Sequence, residues 1–338
     1  GLESRSDIFS PGYFRVDLGG GDVVSGYAKA LFRGEPEFAD EVFEAKEDFS
    51  REIPLGEALS DSAEAFFADR EGKTALLAGF PWFLDWGRDS LISARGLVAT
   101  GMMKEAREVI TAFASMERGG ALPNMLRGAD SSNRDTSDAP LWLAVAAFDL
   151  AEKEGGGFLK TDCGGRELLK VIESIAENYL KGTSNGISVD PESGLVFSPS
   201  HFTWMDTNFP AATPREGYPV EIQALWMRTL ASLGSWTGDS RWGELSERAS
   251  ESFGRLFYLP DGGFLSDCLH ARRGQGAFEA LPDDHLRPNQ LLAVTMGAVR
   301  EARIAAGVVA ACSELLVPGA MRSLADRPVE YGLSVIRD

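Results

Sequence analysis

The segment from Phe80 to Asp89 reads Phe-Pro-Trp-Phe-Leu-Asp-Trp-Gly-Arg-Asp and is the most informative stretch of the sequence. Aromatic rings stand beside an arginine and two carboxylates, which is an unusual mixture for a hydrophobic core. It suits a sugar pocket, because a pyranose ring offers C–H faces for tryptophan to stack on and hydroxyls for charged groups to bind. We therefore predict a binding site at Trp86, Arg88 and Asp89, with helix capping by Asp89 as the competing interpretation.

A helical pattern follows this segment at once, and similar patterns recur along the chain. The predicted helices cover residues 38–49, 55–67, 90–100, 104–116, 138–154, 167–181, 219–233, 240–257, 289–300 and 302–316. They come in pairs in which one member is more apolar, such as 141–150 beside 168–179. This alternation predicts an all-α fold of two concentric layers, with a buried inner ring and an outer ring that faces water.

Four loops rich in polar and aromatic residues each precede an apolar helix. They cover residues 80–89, 120–138, 197–219 and 283–290. In a toroid of paired helices, the loops that enter the inner ring meet at one end. We therefore expect Asp89, Asp138, Asp206 and Glu221 to converge on one concave surface, and after residue 50 we expect helices as the only regular structure.

The third loop repeats the pairing of an aromatic ring with a carboxylate, since Trp204 stands two residues before Asp206. Hydrolysis of a glycosidic bond usually needs two carboxyl groups, one of them a protonated acid for the leaving oxygen. A carboxyl group held near tryptophan in a poorly solvated pocket keeps its proton more easily. Asp206 is the candidate acid, against the alternative that it bonds nearby loop amides. Glu221 begins a helix that is otherwise apolar on that side.

Composition excludes several other classes of function. The net charge of −18 repels phosphate backbones and anionic lipid surfaces, so neither nucleic acid nor membrane is an expected partner. The three cysteines form no disulfide framework or zinc motif, which favours the reducing cytoplasm. The three histidines have no metal-ligand spacing, and neither a Walker lysine nor a G-x-S-x-G elbow is present.

The first 50 residues differ from the rest. Apolar and polar residues alternate before the Gly19-Gly20-Gly21 turn, and a second strand pattern follows, which predicts a β-hairpin over residues 13–28. We interpret residues 1–50 as the remnant of an N-terminal β-domain with a linker helix, and residues 51–338 as the helical domain.

Six motifs in this chain, taken in order, resemble those of glycogen debranching enzymes. They are residues 80–89, Leu122-Pro123-Asn124, Asp138-Ala139-Pro140-Leu141-Trp142, Thr203-Trp204-Met205-Asp206, Thr213-Pro214-Arg215 with Pro219-Val220-Glu221-Ile222, and Arg287-Pro288-Asn289-Gln290. The resemblance covers roughly residues 55–330. It is to the amylo-α-1,6-glucosidase domain of that family in its bacterial and archaeal form.

The resemblance implies an (α/α)6 barrel that removes single glucose units at α-1,6 branch points by inverting attack of water. By position, Asp206 matches the general acid, while Arg88 and Asp89 match an element that grips the terminal sugar. The other implied pocket residues are two carboxylates and two aromatic rings, namely Asp138, Glu221, Trp86 and Trp204. Branched α-glucans or maltooligosaccharides are the expected substrates. No metal or organic cofactor is expected, since inverting hydrolysis needs only an acid, a base and water.

One departure from the family concerns the catalytic base. In the family the base glutamate follows the matched motifs, so we expect it beyond Asp338, and we expect the barrel of this chain to be incomplete. Two functions therefore stay open. One is an exo-acting glycosidase, and the alternative is a non-catalytic glucan-binding module of the same fold that lacks the base.

Overall fold

The structure is a computed structural model that describes residues 19–20, 54–70, 72–79, 83–128, 130–207 and 213–332. The chain divides into two compact units, Gly1–Pro54 and Leu55–Asp338. The predicted hairpin at 13–28, apart from Gly19 and Gly20, and the predicted helix at 38–49 lie outside the described residues. The assignment of residues 1–50 to a β-domain remnant therefore stays a prediction.

Nine α-helices dominate the described part of the second unit. They are α1 Leu55–Glu64, α2 Gly87–Thr100, α3 Met103–Ser115, α4 Ala139–Glu154, α5 Leu168–Lys181, α6 Val220–Thr237, α7 Ser240–Phe257, α8 Leu291–Thr295 and α9 Ala302–Ser313. Glycine ends several of them in the left-handed region, as at Gly101 (φ 87°), whose N–H donates to the Leu97 carbonyl. Within the described ranges, none of these helices combines the length and apolar character needed to cross a bilayer.

The predicted helix over residues 289–300 is wrong in extent. Pro288–Gln290 forms a 3₁₀ turn, and the α-helix that follows ends at Thr295. Gly297 has φ 78°, a left-handed conformation that interrupts a helix. The apolar run continues on both sides of this glycine, which is why the pattern predicts one longer helix.

The helices form two layers. Helices α2, α4, α6 and α8 pack against one another in succession, and each packs against the helix that follows it in the chain. Most residues of α4 and α6 are buried, whereas α5 and α7 bury one face. The expected inner and outer layers are thus present in the described part of the chain, while closure into a ring stays a prediction.

The expectation that residues after 50 contain only helices is wrong, because thirteen short strands occur in the described ranges. They are β1 Phe67–Arg70, β2 Lys73–Leu76, β3 Asp85–Trp86, β4 Met125–Leu126, β5 Ser188–Val189, β6 Val196–Phe197, β7 Gly217–Pro219, β8 Tyr258–Leu259, β9 Phe264–Leu265, β10 Cys268–His270, β11 Leu281–Pro282, β12 Leu316–Val317 and β13 Ala320–Met321. Several run through the interior, where backbone N–H and C=O groups need partners.

Two of the antiparallel pairs join the loops that enter the inner helices. Strand β3 pairs with β4, with Asp85 opposite Leu126 and Trp86 opposite Met125. Strand β7 pairs with β10, which in turn pairs with β11. The first ladder joins the loops before α2 and α4, and the second joins the loop before α6 to the segment between α7 and α8. The Ser137 N–H donates to the Phe202 carbonyl at 2.7 Å and links the loops before α4 and α6.

Candidate active site

The start of α2 is fixed by a close approach of two backbones. The Gly87 N–H donates to the Asn124 carbonyl at 3.0 Å. A Cβ at Gly87 would collide with the Pro123 carbonyl oxygen, so only glycine fits between the β3–β4 pair and the helix. The next residue, Arg88, therefore enters the first turn of an inner helix in a buried position.

Arg88 joins three loops. Its Nε donates to Asp138 Oδ2 at 2.5 Å, and its Nη1 donates to Asp206 Oδ2 at 3.3 Å. The third guanidinium nitrogen, Nη2, is buried and has no hydrogen-bond partner among the described residues. Charges far apart in the sequence thus meet at one guanidinium that keeps a free donor, which we call the Arg88 cluster (Arg88, Asp89, Asp138 and Asp206).

Asp138 does not cap α4, although an aspartate just before a helix with proline in its first turn commonly does so. Its backbone is helical (φ −95°, ψ −37°) and its side chain makes no capping bond. The Thr136 hydroxyl donates to Asp138 Oδ1 at 2.7 Å and accepts from the Ala139 N–H at 3.3 Å. Because Thr136 satisfies the helix start, the Asp138 carboxylate can pair with Arg88.

Asp89 lies in the first turn of α2 and is exposed. Burial among the surrounding protein atoms raises the pKa of Asp89, Arg88 opposes the rise, and the negative charges of Asp138 and Asp206 add to it. The backbone amide of Asp89 itself acts to lower the pKa of the carboxyl group. Trp86, the residue that precedes α2, makes no side-chain capping hydrogen bond. Asp89 is counted with the Arg88 cluster as the sequence neighbour of Arg88, and among the described residues it shares no hydrogen bond with Asp138 or Asp206.

The loop that carries Asp206 is fastened at its base. Ser198 and Gly217 exchange two backbone hydrogen bonds of 2.7 and 3.1 Å, and the His201 N–H donates to the Pro214 carbonyl at 3.0 Å. His201 has φ 63°, an uncommon value for a residue with a side chain. Burial lowers the pKa of His201, with Asp206 opposing, which favours the neutral ring. Residues 208–212 of this loop lie outside the described part.

Trp204 presents its ring to solvent from this loop, with 43% of the residue exposed. The indole Nε1 donates to Asn289 Oδ1 at 2.9 Å, so the exposed ring is held at one edge. Trp86 is half-buried on β3, opposite Met125. The two predicted aromatic residues therefore differ, since the structure leaves a large exposed face on Trp204 and a smaller one on Trp86.

Arg215 forms a second centre of charge that is fully buried. Its Nη1 and Nη2 donate to Glu221 Oε1 and Oε2 at 2.5 and 2.6 Å, and its Nε donates to Asp267 Oδ2 at 2.8 Å. Nη1 also donates to Thr203 Oγ1, and Nη2 to the Asp267 carbonyl and Oδ1. Every guanidinium nitrogen is bonded, and Glu221 is 2% exposed. We call Arg215, Glu221 and Asp267 the Arg215 cluster.

Asp267 is the residue of this centre that the sequence does not reveal. It accepts from Asn289 Nδ2 at 2.8 Å and lies 3.5 Å from Arg287 Nε. Burial raises the pKa of Asp267 to about 6, with the two arginines opposing. Asp267 belongs to none of the four loops, and no motif marks it, whereas Arg215 and Asn289 stand within quoted motifs.

The structure thus divides the predicted site residues. It brings Arg88, Asp138 and Asp206 together through hydrogen bonds, leaves Asp89 exposed next to Arg88 in the chain, places Glu221 in the Arg215 cluster, and puts Trp204 on the loop that contacts both clusters. Thr203 bonds Arg215 and Asp206 bonds Arg88, so one short loop contacts both clusters. Within the described residues, no group of three His, Cys, Asp or Glu side chains could hold a metal ion; the expected independence from metals stays a prediction.

Two solved structures share the fold. An α-mannanase of glycoside hydrolase family GH76 from Bacteroides thetaiotaomicron is similar over 82% of this chain and 73% of its own, with 9% identity and a TM-score of 0.54. The neutral trehalase of Saccharomyces cerevisiae is similar over 81% of this chain and 64% of its own, with 11% identity and a TM-score of 0.53. Both have the (α/α)6 architecture, and this likeness defines the class of fold.

The sequence profile of the amylo-α-1,6-glucosidase family matches residues 59–334. The chain belongs to this family of glucan-acting glycosidases. The glycogen debranching enzyme of Saccharomyces cerevisiae is 27% identical over 221 residues, which cover 47% of this chain and 14% of the yeast protein. The aligned region is therefore a small part of that relative's length.

Proposed function

We propose that this chain carries the glucosidase centre that hydrolyses α-1,6-linked glucose from branched α-glucans or maltooligosaccharides, with Asp206 as the general acid. The observation that carries the proposal is the Arg88 guanidinium, which gathers Asp138 and Asp206 from separate loops. Family membership supports the substrate class, and the geometry of the described residues supports the assignment of roles.

The Arg88 cluster offers the contacts that a terminal glucose needs. The buried Nη2 of Arg88 is a charged donor with no partner among the described residues, and a sugar hydroxyl is an acceptor suited to it. Asp89, exposed beside it, can accept from a second hydroxyl. Trp204 adds an open aromatic face on which the C–H face of a pyranose can stack.

Asp206 is the carboxyl group best placed to protonate a leaving oxygen. Its side chain is 31% exposed, and the bond from Arg88 is the one hydrogen bond that it accepts among the described residues. Asp138 is 2% exposed and is bonded at both oxygens. Glu221 is equally buried and gives both oxygens to Arg215, which makes it a poor alternative acid.

The proposed reaction is attack by water with inversion at the anomeric carbon. Such a mechanism places the acid and the base about 6.5–9.5 Å apart, with the water between the base and the sugar. We assign the acid to Asp206 and assign no residue to the base.

The test is Asp206→Asn in the full-length protein, assayed for glucose release from a maltooligosaccharide that carries a single α-1,6-linked glucose. Asn has nearly the same size but cannot donate a proton to the leaving oxygen, and general acid catalysis is worth about 10²–10⁴-fold. We expect a loss of that size in kcat with little change in affinity for the oligosaccharide.

Asp149→Asn is the matched control. Asp149 also accepts from an arginine Nε, that of Arg95 at 2.6 Å, and its side chain is 21% exposed, but it lies within α4 away from the loops. This variant should keep wild-type hydrolysis. Near-normal turnover by Asp206→Asn would overturn the assignment of the acid. Wild-type protein that binds the oligosaccharide without hydrolysing it would favour the glucan-binding module instead.

A further inference from the structure

We propose that Asn289 is a positioning residue for the Trp204 ring, which it ties to the buried Arg215–Asp267 ion pair through two hydrogen bonds. The inference deepens the proposed function and rests on it, because it assigns the ring orientation that a bound glucan meets. Its structural core, the restraint on Trp204, can be measured without any substrate.

The Asn289 amide accepts one of these hydrogen bonds and donates the other. The amide oxygen accepts from Trp204 Nε1 at 2.9 Å, and the amide nitrogen donates to Asp267 Oδ1 at 2.8 Å. The same nitrogen lies 3.6 Å from the Met205 sulfur, on the residue next to Trp204. The side chain thus uses its donor and its acceptor on opposite partners, and neither a carboxylate nor an alkyl group can do both.

Asp267, at one end of this chain of hydrogen bonds, is held rigidly. Asp267 is buried and accepts two bonds from Arg215, which is 1% exposed and bonded at every nitrogen. Arg215 also has φ 46°, a backbone conformation that persists only where the surroundings enforce it. Asp267 therefore has a fixed orientation, and Asn289 transmits it to a loop that is otherwise held through Thr203, Asp206 and its backbone bonds.

The Trp204 ring, at the other end of this chain of hydrogen bonds, needs such a restraint. Trp204 is 43% exposed, so packing alone leaves its ring several orientations. Fixing a side chain in advance removes an entropic cost from binding, which is how a preorganised site gains affinity. An indole pinned through its N–H keeps one face turned outward on the loop that also carries Asp206.

The alternative is a purely structural role, in which Asn289 only stabilises the 3₁₀ turn Pro288–Gln290 that contains it. The two interpretations differ in what the ring does. A purely structural role predicts a lower stability with an unchanged Trp204 environment, whereas a positioning role predicts a mobile ring in a folded protein. The effects of changing Asn289 and Trp204 should then be non-additive.

The experiment uses full-length protein labelled with 5-fluorotryptophan, in which Trp204→Phe identifies the ¹⁹F resonance of Trp204 among the seven tryptophans of this chain. Asn289→Leu keeps the branched shape of the side chain and removes both bonds, and Asn289→Ala repeats the loss without risk of overpacking. Asn178→Ala is the control, since Asn178 is a half-buried asparagine that bonds the Ser174 carbonyl within α5. The oligosaccharide described above is the binding probe.

We expect both Asn289 variants to shift or broaden the Trp204 resonance and to weaken probe binding about 3- to 10-fold, the size of one lost hydrogen bond. In the Trp204→Phe background the same changes should cost no further affinity, and Asn178→Ala should alter neither readout. An unchanged Trp204 resonance in the folded Asn289 variants, or fully additive losses of affinity, would overturn the proposal. Wild-type protein that fails to bind the probe refutes the proposed function, while the resonance still decides the role of Asn289.

Discussion

Two of the buried arginines in the described part of the chain, Arg88 and Arg215, have opposite hydrogen-bonding states. Both stand at the entrance to an inner helix, and both pair with two carboxylates. Arg215 is bonded at all its nitrogens, whereas Arg88 keeps Nη2 without a partner among the described residues. One of the partners of Arg88, Asp206, is also about a third exposed, while Glu221 and Asp267 are almost fully enclosed.

This difference distinguishes the residues that hold the loops in place from the residues that are available to bind a sugar. A buried guanidinium that satisfies all its donors fixes the loops around it and has nothing left to offer a ligand. A buried donor without a partner costs free energy, commonly about 1–3 kcal/mol, and a hydroxyl of a bound ligand is one acceptor that can recover it. We therefore assign the Arg215 cluster to holding the loops and the Arg88 cluster to the sugar.

Replacement of each arginine by methionine gives the largest contrast. Arg215→Met leaves the buried Glu221 without its cation and Asp267 with only Arg287, 3.5 Å away, and should cost about 3–5 kcal/mol of unfolding free energy. Arg88→Met should cost less, about 1–3 kcal/mol, because Asp206 stays hydrated and Asp138 keeps the Thr136 hydroxyl. Urea unfolding measures both values.

For hydrolysis the order of the two variants should be reversed, so that Arg88→Met shows the larger loss when each variant is assayed under conditions where it is folded. Arg88→Met should lose far more activity on the branched oligosaccharide than Arg215→Met. If Arg88→Met proved the more destabilised and the more active of the two, the assignment of scaffold and site would be reversed.

A smaller effect is expected from the pH dependence of the Arg215 cluster. Burial raises the pKa of Asp267 to about 6, above the ~3.9 of an unfolded chain. Between these values the native state binds more protons than the unfolded state, so the stability from this group is present below about pH 4 and is lost as pH rises through 6.

Comparison of the wild type with Asp267→Asn separates the contribution of the Asp267 carboxyl group to stability from the contributions of the other titrating groups. The unfolding free energy of the wild type minus that of Asp267→Asn should fall by on the order of 2 kcal/mol from pH 4 to pH 7. Urea unfolding at several pH values measures the difference. A difference that rises with pH would show that the ion pairs, and not burial, dominate the ionisation of Asp267.

The sequence predicts the helices and the Arg88 cluster because both rest on local patterns. Apolar periodicity and terminal glycines mark most helix boundaries, and Arg88, Asp89, Asp138 and Asp206 each precede or begin an inner helix. Convergence of these loops follows once alternate helices share a layer. Local signals fail at α8, where Gly297 divides one apolar run.

The Arg215 cluster could not be predicted from sequence in the same way. Asp267 joins it through the pairing of β7 with β10, a tertiary contact between segments about 50 residues apart that no local pattern encodes. Glu221 looks like a site residue because it is a carboxylate on a helix that is otherwise apolar on that side. The same feature describes a buried ion pair, and only the position of Arg215 distinguishes the two.

The central claim, that Asp206 of the Arg88 cluster protonates the leaving oxygen, is tested most directly by varying the leaving group. The measurement is kcat/KM of Asp206→Asn and Asp89→Asn on the α-1,6-linked oligosaccharide and on an aryl α-glucoside with an acidic phenol. An acidic phenol needs little protonation, so Asp206→Asn should lose about 10²–10⁴-fold on the oligosaccharide and far less on the aryl glucoside. Asp89→Asn should lose about 10- to 100-fold on both, as expected for a charge-assisted bond to a hydroxyl. Equal losses on the two substrates by Asp206→Asn would contradict the account.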